Sequence, residues 1–191
     1  MVQKFECSKL GIEGAYLIEP FVAYDERGYF IKDYSAEIFQ DMGISHDIKE
    51  VFYTNSHKGV IRAIHFQREK QQPKLVRCVY GEIFDVVVDL RKNSPTFGEW
   101  EGYILSEENK KEILVPAGCG HGYLVMEDSI VSYKCAEKFY GEYDDGIIWN
   151  DTQINISWPL KSVGNIILSE KDKKLGSFQE FLKANRGGFE V

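Results

Sequence analysis

Short runs of β-branched and aromatic residues, cut by turn signals, recur from end to end of this chain. None of them alternates with the helical patterns of about 10–15 residues that a parallel sheet requires. The candidate strands are 15–18, 29–34, 50–55, 59–66, 74–80, 82–90, 99–105, 111–115, 122–126 and 130–136. Tyr80-Gly81, Asn93-Ser94-Pro95 and Pro116-Ala117-Gly118 punctuate them as turns. Many antiparallel strands with few helices exclude a doubly wound α/β sheet and predict an all-β barrel or jelly roll. Such barrels hold ligands in the mouth, against inward side chains. Two helices are expected. Ser35 caps one that runs to Met42 and stops at Gly43. Ser177 and Glu180 form a capping box that opens a short C-terminal helix, with Phe178, Phe181 and Leu182 on one face. No repeat and no Gly/Ser/Pro-rich linker divides residues 1–191, which reads as one domain.

In the segment 82–89, Phe84, Val86 and Val88 share one face, and Ile83, Asp85, Val87 and Asp89 share the other. The two carboxylates predict partial solvation of that second face.

Composition narrows the function. A 43% hydrophobic content is that of a globular protein. The net charge of −7 argues against a nucleic-acid partner, although a few arginines can still build a local anion pocket. No apolar run reaches the length of a membrane span, and the first ten residues lack the apolar core of a signal peptide. The cytoplasm is therefore the expected location, with no membrane partner. Cys7, Cys78, Cys119 and Cys135 form no CxxC pair and are expected as free thiols.

Chemistry rests on few residues. Of four histidines, His46 and His57 stand in polar stretches and read as surface residues. His65 lies within the apolar strand Val60-Ile61-Arg62-Ala63-Ile64-His65-Phe66, where alternation puts Ala63 and His65 on one face and Arg62 and Ile64 on the other. A histidine in such a strand is more often core than catalyst, but Arg62 and Lys74 are cations in or beside apolar strands. Burying them is costly without a counter-charge, which a carboxylate or a ligand's diphosphate would supply. Arginine's planar fork matches phosphate. His121 is flanked by Gly118, Gly120 and Gly122, which let the backbone bend tightly or approach a ligand. Tyr133 becomes a general-acid candidate if its hydroxyl faces the pocket. Two isolated histidines make a weak metal signal, and no metal is expected.

In this order the motifs resemble the dTDP-4-dehydrorhamnose 3,5-epimerase family. Asp25-Glu26-Arg27-Gly28-Tyr29-Phe30 is similar to its DxRGxF segment, and Val60 to Gln67 to its VLRGLHxQ segment. Pro73-Lys74-Leu75-Val76-Arg77, the run Gly81 to Asp89, and Ser94-Pro95-Thr96-Phe97-Gly98 follow. Then come Pro116 to Gly122, Tyr133-Lys134, Trp149-Asn150-Asp151 and Leu168-Ser169-Glu170-Lys171-Asp172. The resemblance implies a double-stranded β-helix barrel of cupin type, a homodimer, a nucleoside-diphosphate keto-sugar substrate and no cofactor. It makes His65 the base, Asp172 its orienting partner, Tyr133 the opposing acid and Lys74 the enolate stabiliser. It assigns Arg27, Asn55, Arg62, His121, Asp144 and Lys171 to substrate contact. The chemistry suits those types: hydrogens flanking a C4 carbonyl leave as protons, the enolate oxygen needs a cation, and inversion needs a proton from the other face.

The chain departs from the family at several positions. Ala63 replaces a glycine and is expected to narrow the pocket. Lys32 replaces a glutamate, Tyr53-Thr54 the first two residues of Gln-Asp-Asn, Lys138-Phe139 a tyrosine pair and Cys119-Gly120 a Phe-Ala pair.

Overall fold

The structure, a computed structural model, describes residues 3–190. Two antiparallel sheets face each other across a shared core. The larger has six strands: β1 (Glu6–Lys9), β2 (Tyr16–Glu19), β10 (Glu112–Val115), β7 (Lys74–Tyr80), β12 (Ser129–Cys135) and β5 (Glu50–Ser56), in that spatial order. The second has five: β13 (Asp144–Gly146), β6 (Ile61–Gln67), β11 (Cys119–Val125), β8 (Glu82–Asp89) and β9 (Trp100–Ser106). A separate hairpin, β3 (Phe21–Asp25) and β4 (Gly28–Lys32), pairs only with itself. This is the jelly-roll barrel of the cupin type that the strand pattern and the motif order predict.

Each of the ten expected strands overlaps an observed one. Three others carry weak strand signals. Glu6–Lys9 and Phe21–Asp25 are short and at best half-buried, and Asp144-Asp145-Gly146 consists of residue types depleted in strands. The helices are α1 (Ala36–Asp41) and α2 (Phe178–Ala184). Both halves of the Ser177–Glu180 capping box form, whereas Ser35 occupies the N-cap of α1 without a side-chain hydrogen bond.

Alternation along β8 builds the two sides of its sheet. Ile83 and Val87 enter the barrel core with Val76, Ile113, Val125 and Val131. Phe84, Val86 and Val88 join the outer cluster, where Trp158, Phe178 and Phe181 cover the sheet. A third cluster, with Phe39 of α1 against Ile18, Leu75 and Leu114, covers the outer face of the six-stranded sheet. Fully burying each such aliphatic side chain contributes about 1.5–3 kcal/mol.

The expected solvation of Asp85 and Asp89 is not found: both are fully buried. Each has a partner set that offsets the burial of a charge. Asp89 accepts hydrogen bonds from Arg91 (2.7 and 2.9 Å), Ser94 (2.5 Å) and Thr96 (2.7 Å). Burial alone would raise its pKa, but those bonds bring it down to about 2. Asp85 meets His121. His46, read from sequence as a surface residue, is also buried, with its Nε2 at 2.8 Å from the Lys134 carbonyl, while His57 is exposed as expected.

Candidate active site

The face assignment in β6 is the main correction to simple alternation. His121 pairs with His65, but Tyr123 pairs with Arg62, so three steps on β6 match two on β11. The extra residue is a β-bulge at Ala63 and Ile64. Both of those side chains pack into the outer cluster, and Arg62 and His65 are left on the same, barrel-facing side. Gly122 makes room for the bulge: a Cβ there would lie 2.6 Å from the Arg62 carbonyl oxygen and 2.8 Å from Ala63 Cα. Gly122 thus serves strand packing, and Ala63 points away from the pocket instead of narrowing it.

Arg62 and His65 open into a cavity of about 310 Å³ at one end of the barrel. Eight of the ten sequence-derived site residues line it: Arg62, His65, Lys74, His121, Tyr133, Asp144, Lys171 and Asp172. Arg27 and Asn55 do not. Arg27 sits at the tip of the β3–β4 hairpin, 85% exposed and paired with Asp25 at 2.5 Å. Asn55 lies exposed on β5, alternating with the cavity-facing Phe52 and Thr54. Among the substituted family positions, Thr54 and Phe139 line the cavity, whereas Lys32, Ala63 and Cys119 do not.

Two histidine–carboxylate pairs occupy one wall. His65 Nε2 stands 2.7 Å from Asp172 Oδ1, and its side chain is 26% exposed. Ser169 Oγ donates to Asp172 Oδ2 at 2.7 Å and accepts from the Asp172 backbone N–H at 3.0 Å. Burial pushes the Asp172 carboxyl up, but the contacts from His65, Ser169 and Lys171 outweigh it, and its pKa is lowered. His121 Nε2 lies 2.8 and 3.1 Å from the two oxygens of Asp85, and its side chain is only 4% exposed. There burial wins, and Asp85 is raised despite His121 and Lys74. The strand periodicity placed Asp85 on the barrel-facing side of β8, but the sequence reading took that side as solvated and so missed it as a partner for His121.

The facing sheet supplies Lys74 and Tyr133. Burial lowers the Lys74 pKa, opposed by Cys135, Asp144 and Asp85. Tyr133 stacks on Phe52 with centroids 4.7 Å apart and planes at 15°. Burial, with Tyr123 and Asp85 nearby, pushes its pKa well above the ordinary phenol value against the pull of Arg62, so the hydroxyl keeps its proton at neutral pH. At the mouth, Lys171 pairs with Asp144. Arg62 donates to Ser56 Oγ (3.0 and 3.1 Å) and, among the described residues, meets no carboxylate. Its charge is therefore available to a bound anion. Among the described residues no three His, Cys, Asp or Glu side chains gather as a metal-ligand set, and no helix is long and apolar enough to cross a membrane.

The family model described as dTDP-4-dehydrorhamnose 3,5-epimerase matches residues 9–180. The chain is 49% identical over 178 residues to an enzyme of that description from Methanothermobacter thermautotrophicus, covering 93% of this chain and 96% of that one. It is 41% identical to the Escherichia coli enzyme over 175 residues, covering 90% and 94%. Among solved structures, a dTDP-6-deoxy-D-glucose-3,5-epimerase from Legionella pneumophila in complex with dTDP-4-keto-L-rhamnose superposes with a TM-score of 0.92 at 34% identity. That match covers 98% of this chain and 100% of that one.

Proposed function

This chain belongs to the dTDP-4-dehydrorhamnose 3,5-epimerase family, and we propose that its cavity inverts C3 and C5 of a dTDP-linked 4-keto-6-deoxy sugar with His65 as base and Tyr133 as acid. The observation that carries this reading is that base and acid stand on facing sheets: His65 on β6 with Asp172 behind it, Tyr133 on β12. A hydrogen beside the C4 carbonyl leaves as a proton to His65 Nδ1, the ring nitrogen that Asp172 does not engage, and the electron pair moves onto the C4 oxygen. Lys74, whose ammonium is made costly by burial, gains a counter-charge as that enolate forms. Tyr133, held protonated, returns a proton to the opposite face of the same carbon. No redox cofactor enters the balance.

In this reading Arg62 and Lys171 receive the diphosphate, and Asp144 and His121 complete the substrate contacts. Arg27 and Asn55 are assigned to the same site across a homodimer. In support, the hairpin that carries Arg27 leaves Tyr24, Tyr29 and Phe30 exposed, and β5 leaves Val51 and Tyr53 exposed beside Asn55. A second copy covering these surfaces would bury apolar area that the single chain leaves in water. All four cysteines are free thiols, which suits a reducing cytoplasm.

The test is incubation with dTDP-4-keto-6-deoxyglucose in deuterated water, following the C3 and C5 hydrogens by NMR. Deuterium at both carbons with the inverted product is the expected result. Exchange at one carbon would assign a single-site epimerase, and exchange at neither would remove the assigned reaction. Sedimentation at micromolar concentration tests the homodimer, which a monomer would exclude.

A further inference from the structure

The carboxylates in and behind the cavity wall are all engaged. Asp172 stands against His65, Asp85 against His121 and Asp144 against Lys171. Two cavity cations have no carboxylate partner among the described residues. One is Lys74, which the reaction above gives to the enolate. The other is Arg62, whose guanidinium donates to Ser56 Oγ at 3.0 and 3.1 Å.

The strand β5 explains why Arg62 is left free. Phe52, Thr54 and Ser56 alternate inward along it, and Phe52 and Thr54 line the cavity. Arg62 meets this strand at Ser56, and Thr54 is the next inward position toward Phe52. From the other side, Tyr123 on β11 pairs in register with Arg62 on β6, and its Oη lies 2.8 Å from Thr54 Oγ1. Arg62, Ser56, Tyr123 and Thr54 therefore share one corner of the cavity. Thr54 stands where the family pattern has an aspartate. An aspartate would bring a carboxylate into the corner of a guanidinium whose planar fork suits carboxylate and phosphate alike. Threonine brings no charge, and its hydroxyl is already engaged by Tyr123.

We propose that Thr54 is a specificity-determining residue: by keeping this corner free of negative charge it leaves Arg62 to the ligand's diphosphate and sets how tightly the cavity holds that group. The inference rests on the reading of this cavity as a nucleoside-diphosphate-sugar site. A carboxylate at position 54 would act twice against such a ligand. It would pair with Arg62 in the empty site, a contact the ligand must break, and it would repel the phosphates once bound. Both effects follow the charge at this position and not its size.

Titration calorimetry with dTDP on the unaltered protein, Thr54→Asp and Thr54→Asn separates charge from shape, because asparagine matches aspartate in size. Thr54→Asp should weaken dTDP about tenfold or more, the scale of a like-charge contact in a binding site, and Thr54→Asn by about threefold or less. In an Arg62→Ala background the Thr54→Asp substitution should have a smaller effect, since part of it passes through Arg62. Equal affinity of the Asp and Asn variants would overturn the proposal, and so would an Asp effect of the same size with and without Arg62. If Thr54→Asp fails to fold, Thr54→Glu against Thr54→Gln decides by the same comparison. Absence of dTDP binding by the unaltered protein would instead strike the epimerase reading itself.

Discussion

The two histidines His65 and His121 share one sheet and one cavity, yet the aspartates paired with them differ in what their carboxylates are prepared to do. Asp172 is held by Ser169 on one oxygen and faces His65 with the other, and its pKa lies below the ordinary value. Asp85 is fully buried, offers both oxygens to His121, and has its pKa raised. An ionised carboxylate behind a partly exposed imidazole stabilises the imidazolium that forms when a proton is taken up. A carboxyl pushed toward neutrality by burial offers much less of that and instead fixes the ring. In the proposed reaction, identical residue types thus serve as a base in one place and as a fixed hydrogen-bonding group in the other, and the difference is access to water.

That contrast can be broken at several points. His65→Ala should reduce turnover by about 10³-fold or more, within the span of general acid–base catalysis, with the fold intact. Steady-state kinetics beside a thermal melt would check it, and retention of a large share of activity would reassign the base. Tyr133→Phe should reduce inversion by about 10²-fold while proton exchange with solvent continues, as NMR in deuterated water would record. Asp172→Asn should lower turnover by about 10²-fold and Asp85→Asn by about tenfold or less, because only the first loses support for an imidazolium. Equal losses in kcat would erase the distinction between the pairs.

The smallest effect belongs outside the site. Asp89, with a folded-state pKa of about 2, lies below its unfolded value near 4. The stability it contributes is therefore complete above about pH 4 and is lost as pH falls toward 2. Asp89→Asn should remove roughly 2 kcal/mol at neutral pH and leave kcat unchanged, as urea unfolding at pH 7 and pH 3 would measure. Asp85 has the opposite sign: its raised pKa gives stability only at low pH, and that contribution is lost as pH rises through the folded value. Asp85→Asn should consequently destabilise less than Asp89→Asn at pH 7.

Much of this was legible in the residues. Strand pattern and turns sufficed for the barrel, and the ordered motifs pointed to eight of the residues that line the cavity. What could not be read has physical causes. Period-two alternation places Arg62 and His65 on opposite faces, and only the pairing with β11 reveals the bulge that puts them together. Gly122 was the available signal, but a glycine beside a histidine fits ligand approach as well as it fits close strand packing. Asp85 looked solvated because a charged residue in a strand is usually exposed, and its burial depends on His121, 36 residues away.

The central claim is that the partly exposed pair, and not the buried one, removes the proton. The direct measurement is deuterium incorporation at C3 and C5 of dTDP-4-keto-6-deoxyglucose by His65→Asn and His121→Asn, each compared with the unaltered protein. The account predicts no incorporation at either carbon with His65→Asn and continued, slower incorporation with His121→Asn. Incorporation by His65→Asn at the rate of the unaltered protein, with its loss in His121→Asn, would contradict it and move the base to the buried pair.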